Sequence, residues 1–199
     1  MDPACSFTEA VQRAQSVVGK GGQYILGTGD YEPNEKTKTD LPWTTKGGRS
    51  GSDCAGFAIC WAWKLHRHRP GFNKGAWASV SDDINCNSAL EDGLHKQELF
   101  ETLPEGQCVH PGDLLLYPTI RLKVDGQIKP FVGHVGIIEV VPRNFKYGNW
   151  RDLTVIQCHG PNFRVPGVVR TSGSIWSHHD ANWGKVEHRT RIVRVKERL

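Results

Sequence analysis

The stretch from Val132 to Val141 constrains the fold more than any other part of the chain. It is β-branched around a single histidine, His134, and such side chains favour the pleated backbone of a strand. Three further runs read the same way: Asp113–Tyr117 after the Pro111-Gly112 turn, Leu153–Cys158, and Arg191–Val195 with apolar and basic residues alternating. Ahead of them, Ala10, Val11, Ala14, Val17 and Val18 recur at close to helical spacing between Phe7 and Val18, and Gly19, Gly21 and Gly22 then stop the helix. A second helix is predicted from Cys54 to about Arg67, ended by Pro70-Gly71. Helices first and antiparallel strands after them predict an α+β domain. Tyr24–Gly27 reads as a short extended piece. The polar segment Thr28 to Arg49 is long enough to cover or border a site. Residues 72–107 read as an insertion packed on the main body, with short helical turns near Ser81–Ile84 and Ser88–Leu94.

A chain of 199 residues, 38% hydrophobic and 23% charged, suits one well-packed domain and neither a disordered nor a membrane protein. A formal charge of +4 fits contact with an acidic polymer such as an anionic cell wall and is too weak to argue for nucleic acid. The densest basic stretch, His66-Arg67-His68-Arg69, reads as a solvated helix end. No apolar run approaches the roughly 20 residues that span a bilayer. Met1-Asp2-Pro3-Ala4-Cys5 lacks the pattern of a secretory signal. The expectation is synthesis in the cytoplasm, with any action outside it requiring lysis, a phage particle or a dedicated secretion system. Six cysteines without a close CxxC pair argue against a zinc knuckle, and reduced thiols are the default. Cys60 and Cys158 sit in apolar runs and read as buried residues; for Cys86 and Cys108 a disulfide stays open. His178-His179-Asp180 and His188 offer metal ligands on paper, but neighbours on a strand point to opposite faces, and a polar surface loop is the better reading. No metal or other cofactor is expected.

The chemistry centres on Gly51-Ser52-Asp53-Cys54-Ala55-Gly56-Phe57, which opens the apolar run Ala58–Trp63. A thiol in the first turn of a helix meets roughly half a positive elementary charge from the aligned peptide dipoles, which favours the nucleophilic thiolate. His134 and His159 lie in strand-like settings downstream, and Gly56 permits close approach of helix and neighbouring chain. Taken singly, Cys54 and His159 read as structural residues and His134 is open between strand and base. Together they supply a nucleophile, a base and a group that orients the base.

The joint pattern resembles the NlpC-type cell-wall peptidases, a papain-like family of cysteine endopeptidases. Ala14–Gly19 followed by Gln23-Tyr24-Ile25-Leu26-Gly27 is similar to that family's opening helix and tyrosine turn. Asp53-Cys54-Ala55-Gly56-Phe57 is similar to its nucleophile motif, His110–Leu115 to its Pro-Gly-Asp-Leu turn, and Gly133–Ile137 to its histidine strand. The resemblance spans about Phe7 to Gly160 and, loosely, the C-terminal strand. It implies a papain-like fold with N-terminal helices packed on an antiparallel sheet or partial barrel. Cys54 would be nucleophile, His134 general base and acid, and His159 the orienting group. It further implies hydrolysis of peptidoglycan stem peptides, commonly between D-glutamate and a diamino acid, with Tyr24 and Asp53 holding the substrate's free amino end. Tyr24 as a loop anchor and Asp53 as a helix cap stay open beside those roles. Ala55 stands where relatives carry a serine that touches substrate, so substrate preference is expected to differ. Related alternatives are an amidase or acyltransferase acting on another substrate, and a non-catalytic phage tail module.

Overall fold

The computed structural model describes residues 5–31, 41–46, 48–69, 72, 83–124, 126–159, 167–177, 179–180, 184–185 and 189–196. Helix α1, Phe7–Ser16, starts where the Ser6 hydroxyl accepts the Glu9 backbone N–H at 3.2 Å, and it buries Ala10 and Ala14. Small strands β1 (Gln23–Tyr24), β2 (Thr44–Lys46) and β3 (Arg49–Ser52) follow, with β3 between the other two. The β1–β3 pair is parallel, Tyr24 opposite Ser52, which brings Tyr24 beside the Cys54 segment.

Cys54 and Ala55 are the first helical residues after β3, and the helix widens at once into a π-helical stretch, Gly56–Trp61. Its wide turns are closed by Ala62 N–H to Phe57 C=O and Leu65 N–H to Cys60 C=O. The predicted continuation to Arg67 does not form: Lys64 takes a left-handed φ of 54°, and the chain reverses there. Every residue from Cys54 to Trp63 is buried.

Helix α2, Cys86–Glu91, carries a capping box. The Asn85 side chain accepts from the N–H groups of Asn87 and Ser88, and the Ser88 hydroxyl accepts from Asn85 N–H. The main sheet follows: β4 (Phe100–Leu103), β5 (Leu114–Tyr117), β8 (His134–Val140), β9 (Thr154–His159), β10 (Gly167–Ser172) and β13 (Arg191–Val195). Between β5 and β8 a hairpin, β6 (Ile120–Val124) and β7 (Gln127–Phe131), had no counterpart in the sequence reading; another small pair is β11 (His179–Asp180) with β12 (Gly184–Lys185). The six strands run antiparallel in the order β10-β9-β8-β5-β13-β4. The molecule is therefore a mixed helix-and-sheet protein with a six-stranded antiparallel sheet, and the predicted strands 113–117, 132–141, 153–158 and 191–195 all lie in it. Within 72–107, β4 forms an edge of that sheet and α2 joins the main core. The turn predicted at Ser81–Ile84 falls partly outside the described residues.

Strand alternation gives the sheet two buried faces. Leu114, Leu116, Val135, Ile137, Ile156 and Cys158 pack against α1 and the Cys54 helix. Leu115, Ile138, Val155 and Ile192 pack against Trp150 and Trp176. Two ion pairs tie the ends of this arrangement together. Glu139, at the irregularity in the β8–β9 pairing, accepts from Gln15 of α1 at 2.8 Å and from Arg170 of β10. Asp113, fully buried in the Pro-Gly-Asp turn, takes a two-pronged bond from Arg194 of β13 at 2.8 Å and the His110 N–H at 2.8 Å.

Candidate active site

Asp53 ends the extended segment and caps the helix that Cys54 begins: its carboxylate accepts the Gly56 N–H at 2.7 Å. The same group accepts the Gly27 N–H at 2.7 Å and a two-pronged bond from Arg67 at 2.9 and 2.7 Å. Gly56 is required at this crossing. A Cβ there would lie 2.2 Å from the Thr28 carbonyl oxygen and 2.8 Å from the Arg67 guanidinium. Arg67 itself, expected to sit in solvent, turns inward after the Lys64 reversal and also donates to the Thr28 carbonyl at 2.7 Å. Burial pulls its guanidinium down, but the bonds to Asp53 raise it further, so it stays charged. Burial pushes the Asp53 carboxyl up against the pull of Arg67 and the Gly56 N–H. At 2% exposure and with four donors, Asp53 has its acceptor capacity used within the protein.

The Cys54 sulfur receives hydrogen bonds from the Cys86 thiol, the His134 ring and the Val135 N–H, and these hold it well below the ordinary thiol range despite burial. The Tyr24 hydroxyl lies 3.9 Å from it. Burial, then the neighbouring sulfur, raises Tyr24 far above the usual phenol range, so this hydroxyl keeps its proton and serves as the donor. Ala55, 3% exposed, lies in the apolar core.

His134 is half-buried at the first position of β8. Burial lowers its ring, but the Cys54 thiolate, its hydrogen bond and the Gln157 bond raise it by more, and the net shift is upward. Its Nε2 lies 2.6 Å from Gln157 Oε1, and Gln157 Nε2 donates to the Thr171 hydroxyl at 2.5 Å. The amide oxygen therefore faces His134, which places the ring proton on Nε2 and leaves Nδ1 for the sulfur. The bond expected from His159 is thus made by Gln157. His159 stacks instead on His134, ring centroids 5.8 Å apart and planes 13° from parallel. Burial, reinforced by the charge on His134, brings His159 down to about 4, so it is a neutral ring at neutral pH. The strand period explains why sequence reading missed Gln157: residues 155, 157 and 159 share one face of β9, and the available signal was a polar residue inside an apolar run.

Trp176 also packs against His134, ring centroids 5.4 Å apart. Gly136 makes room for that indole, since a Cβ there would stand 3.0 Å from it and 2.5 Å from Val155 Cγ1. Trp176 is thus buried beside the base. Cys54, Tyr24, His134 and His159 all come together. Among the described residues Cys54 retains only 4% exposure and His134 is half-buried, so the imidazole is the more accessible partner. Among the described residues no cluster of His, Cys, Asp or Glu is arranged to hold a metal ion, and no helix is long and apolar enough to cross a membrane. His178 and His188 lie outside the described residues.

Comparison with protein-family models, curated proteins and solved structures finds no match.

Proposed function

We propose that this protein is a cysteine peptidase or amidase of the papain-like, NlpC-like type, hydrolysing amide bonds of peptidoglycan stem peptides such as D-glutamyl–diamino acid. The observation that supports this best is the continuous line Cys54–His134–Gln157–Thr171, in which a stabilised sulfur meets an imidazole whose tautomer is set from behind. The Cys54 thiolate attacks the substrate carbonyl while backbone N–H groups in the first turn of its helix receive the developing oxyanion. Protonated His134 gives its proton to the leaving amine, and an acyl-enzyme results. His134 then deprotonates a water, which releases the acid and restores the thiolate. Gln157 accepts a hydrogen bond from the Nε2–H of the His134 ring at each stage.

One observation favours a substrate other than a free-amine stem peptide. Asp53 is bonded to Arg67, Gly27 and Gly56, so the carboxylate beside the nucleophile is not offered to a substrate ammonium group. Tyr24 is the polar side chain that remains at the sulfur's flank. An amide lacking a free amino end therefore stands as the second reading, with the same residues and the same acyl-enzyme.

Digestion of defined muropeptides, with fragments weighed by mass spectrometry, tests the reading. Cys54→Ala is expected to abolish cleavage while leaving the circular dichroism spectrum and unfolding transition in place. Undiminished cleavage by Cys54→Ala would disprove it.

A further inference from the structure

The base sits where a strand ladder runs out. β5 and β8 pair as far as Tyr117 opposite His134, and the residue after Tyr117, Pro118, has no N–H with which to continue. From there the chain leaves along the β6–β7 hairpin and returns through Val132 and Gly133 to His134. A strand end of this kind frays unless other groups take up its backbone. Two side chains do so here. The Thr119 hydroxyl accepts the Gly133 N–H at 2.8 Å. Thr119 is itself held by Asn87, whose side chain accepts the Thr119 N–H at 2.8 Å and donates to the Thr119 carbonyl at 3.4 Å, the pair of bonds a neighbouring strand would otherwise make. Asn87 is 8% exposed, and its own N–H is fixed at 2.9 Å by the Asn85 side chain in the capping box of α2. The fit at the crossing is close: a Cβ on Gly133 would stand 2.6 Å from the Thr119 nitrogen and 2.8 Å from the Tyr117 carbonyl oxygen.

We propose that Asn87 and Thr119 are positioning residues for His134: they fix the backbone that carries the base, and through it the place of the imidazole beside the Cys54 sulfur. This role rests on the catalytic pair assigned above. The Gln157 bond, 2.6 Å from Nε2, sets the tautomer and tilt of the ring but does not hold the Cα from which the ring projects. Displacing a reacting group by about 1 Å costs on the order of a hundredfold in rate. The chain Asn87–Thr119–Gly133 supplies the remaining constraint, and it does so from α2, outside the strand that carries the base. It also separates the base from movements of the β6–β7 hairpin, because the chain departs for that hairpin at Thr119 and comes back from it at Gly133. Both residues act through the backbone and neither is assigned a substrate contact, so their loss should lower kcat and leave KM in place.

The experiment compares Thr119→Val, which keeps nearly the same shape and removes the hydroxyl, with Thr119→Ser, which keeps the hydroxyl. Alkylation of Cys54 by iodoacetamide is followed by peptide mapping of the full chain across pH, and the midpoint of the rate profile is read, since a midpoint is insensitive to access. An imidazole moved away from the sulfur supports the thiolate less well, so the midpoint in Thr119→Val is expected to rise by about one pH unit and that in Thr119→Ser to stay within about 0.3 unit of wild type. On a cleaved muropeptide, kcat of Thr119→Val is expected to fall about 10- to 100-fold with KM unchanged. Alkylation needs no substrate, so the midpoint decides this role even where the wild type leaves muropeptides intact, a result that would count against the proposed substrate alone. Asn87→Ala, which frees the Thr119 backbone, should move the midpoint the same way and replaces Thr119→Val if that variant does not fold. In the wild type the Gly133 amide is expected to exchange with deuterium as slowly as the amides inside β8. An unmoved midpoint in the folded variant, an equal shift in Thr119→Ser, or a Gly133 amide exchanging as fast as that of the exposed turn residue Gly126 would each overturn the proposal.

Discussion

Replacing Arg67 by methionine keeps most of the buried hydrocarbon and removes the charge that faces Asp53. The Asp53 side chain is 3% exposed and that of Arg67 11%, so water cannot take over the lost contacts. Two backbone donors, Gly27 and Gly56, would then face a buried carboxylate with no cation. Breaking a buried pair in this way costs about 3–5 kcal/mol. With a urea slope of roughly 2 kcal/mol per molar, the unfolding midpoint is expected to fall by ~2 M. The pH dependence has a definite sign. Burial already pushes the Asp53 carboxyl up, and without Arg67 the chief opposing pull is gone. A carboxyl raised on folding gives stability below its unfolded pKa that is lost as pH rises through the folded value. The deficit of Arg67→Met should therefore be smallest in acid and grow toward neutral pH. Arg67→Lys keeps a charge without the planar fork and should fall between the two. Urea titrations followed by tryptophan fluorescence at several pH values measure all of this. An unfolding free energy within about 0.5 kcal/mol of wild type at neutral pH, the range of an unremarkable surface change, would refute the structural role given to the pair.

Gln157→Leu removes the bond that fixes His134 and should lower kcat/KM about 10- to 100-fold, the worth of one hydrogen bond to a charged ring; a loss confined to His159→Ala would return the orienting role to that residue. Gly136→Ala puts a methyl group against Val155 and Trp176 and should destabilise by about 1–3 kcal/mol, read from thermal unfolding; a neutral result would mean the indole is not held against the strand. Because the Cys54 thiol is lowered well below its ordinary range, its alkylation by iodoacetamide should stay fast as pH falls from 8 toward 6; a Cys54 rate that drops about tenfold per pH unit in a peptide-resolved time course would contradict the thiolate assignment.

Strands rich in Val, Ile and Leu declared themselves in sequence because their packing demand is local: β5, β8, β9 and β13 each sit where an apolar run predicted them. The long Cys54 helix was overestimated because an unbroken apolar run does not reveal where wide i→i+5 turns end, nor that Lys64 takes a left-handed backbone. The Asp53–Arg67 pair follows from that reversal, so a basic cluster that looked solvated turned out to hold the cap of the nucleophile's helix. Cys54 and His134 were legible because each lies in a short motif with its own local logic. Gln157 and Asn87 were not, since their roles come from cross-strand register and from a contact made over more than thirty residues of chain. Period two places Gln157 and His159 on one face without choosing between them.

The position of β13 also bears on how the molecule is made. Residues 191–195 lie between β5 and β4, so the sheet stays split in two until that late segment slides into the gap. During synthesis, the histidine strand and the nucleophile's helix emerge long before their platform can close. For that interval the apolar faces of Leu114, Leu115 and Phe100 await a neighbour not yet translated, and the wait is set by the ribosome.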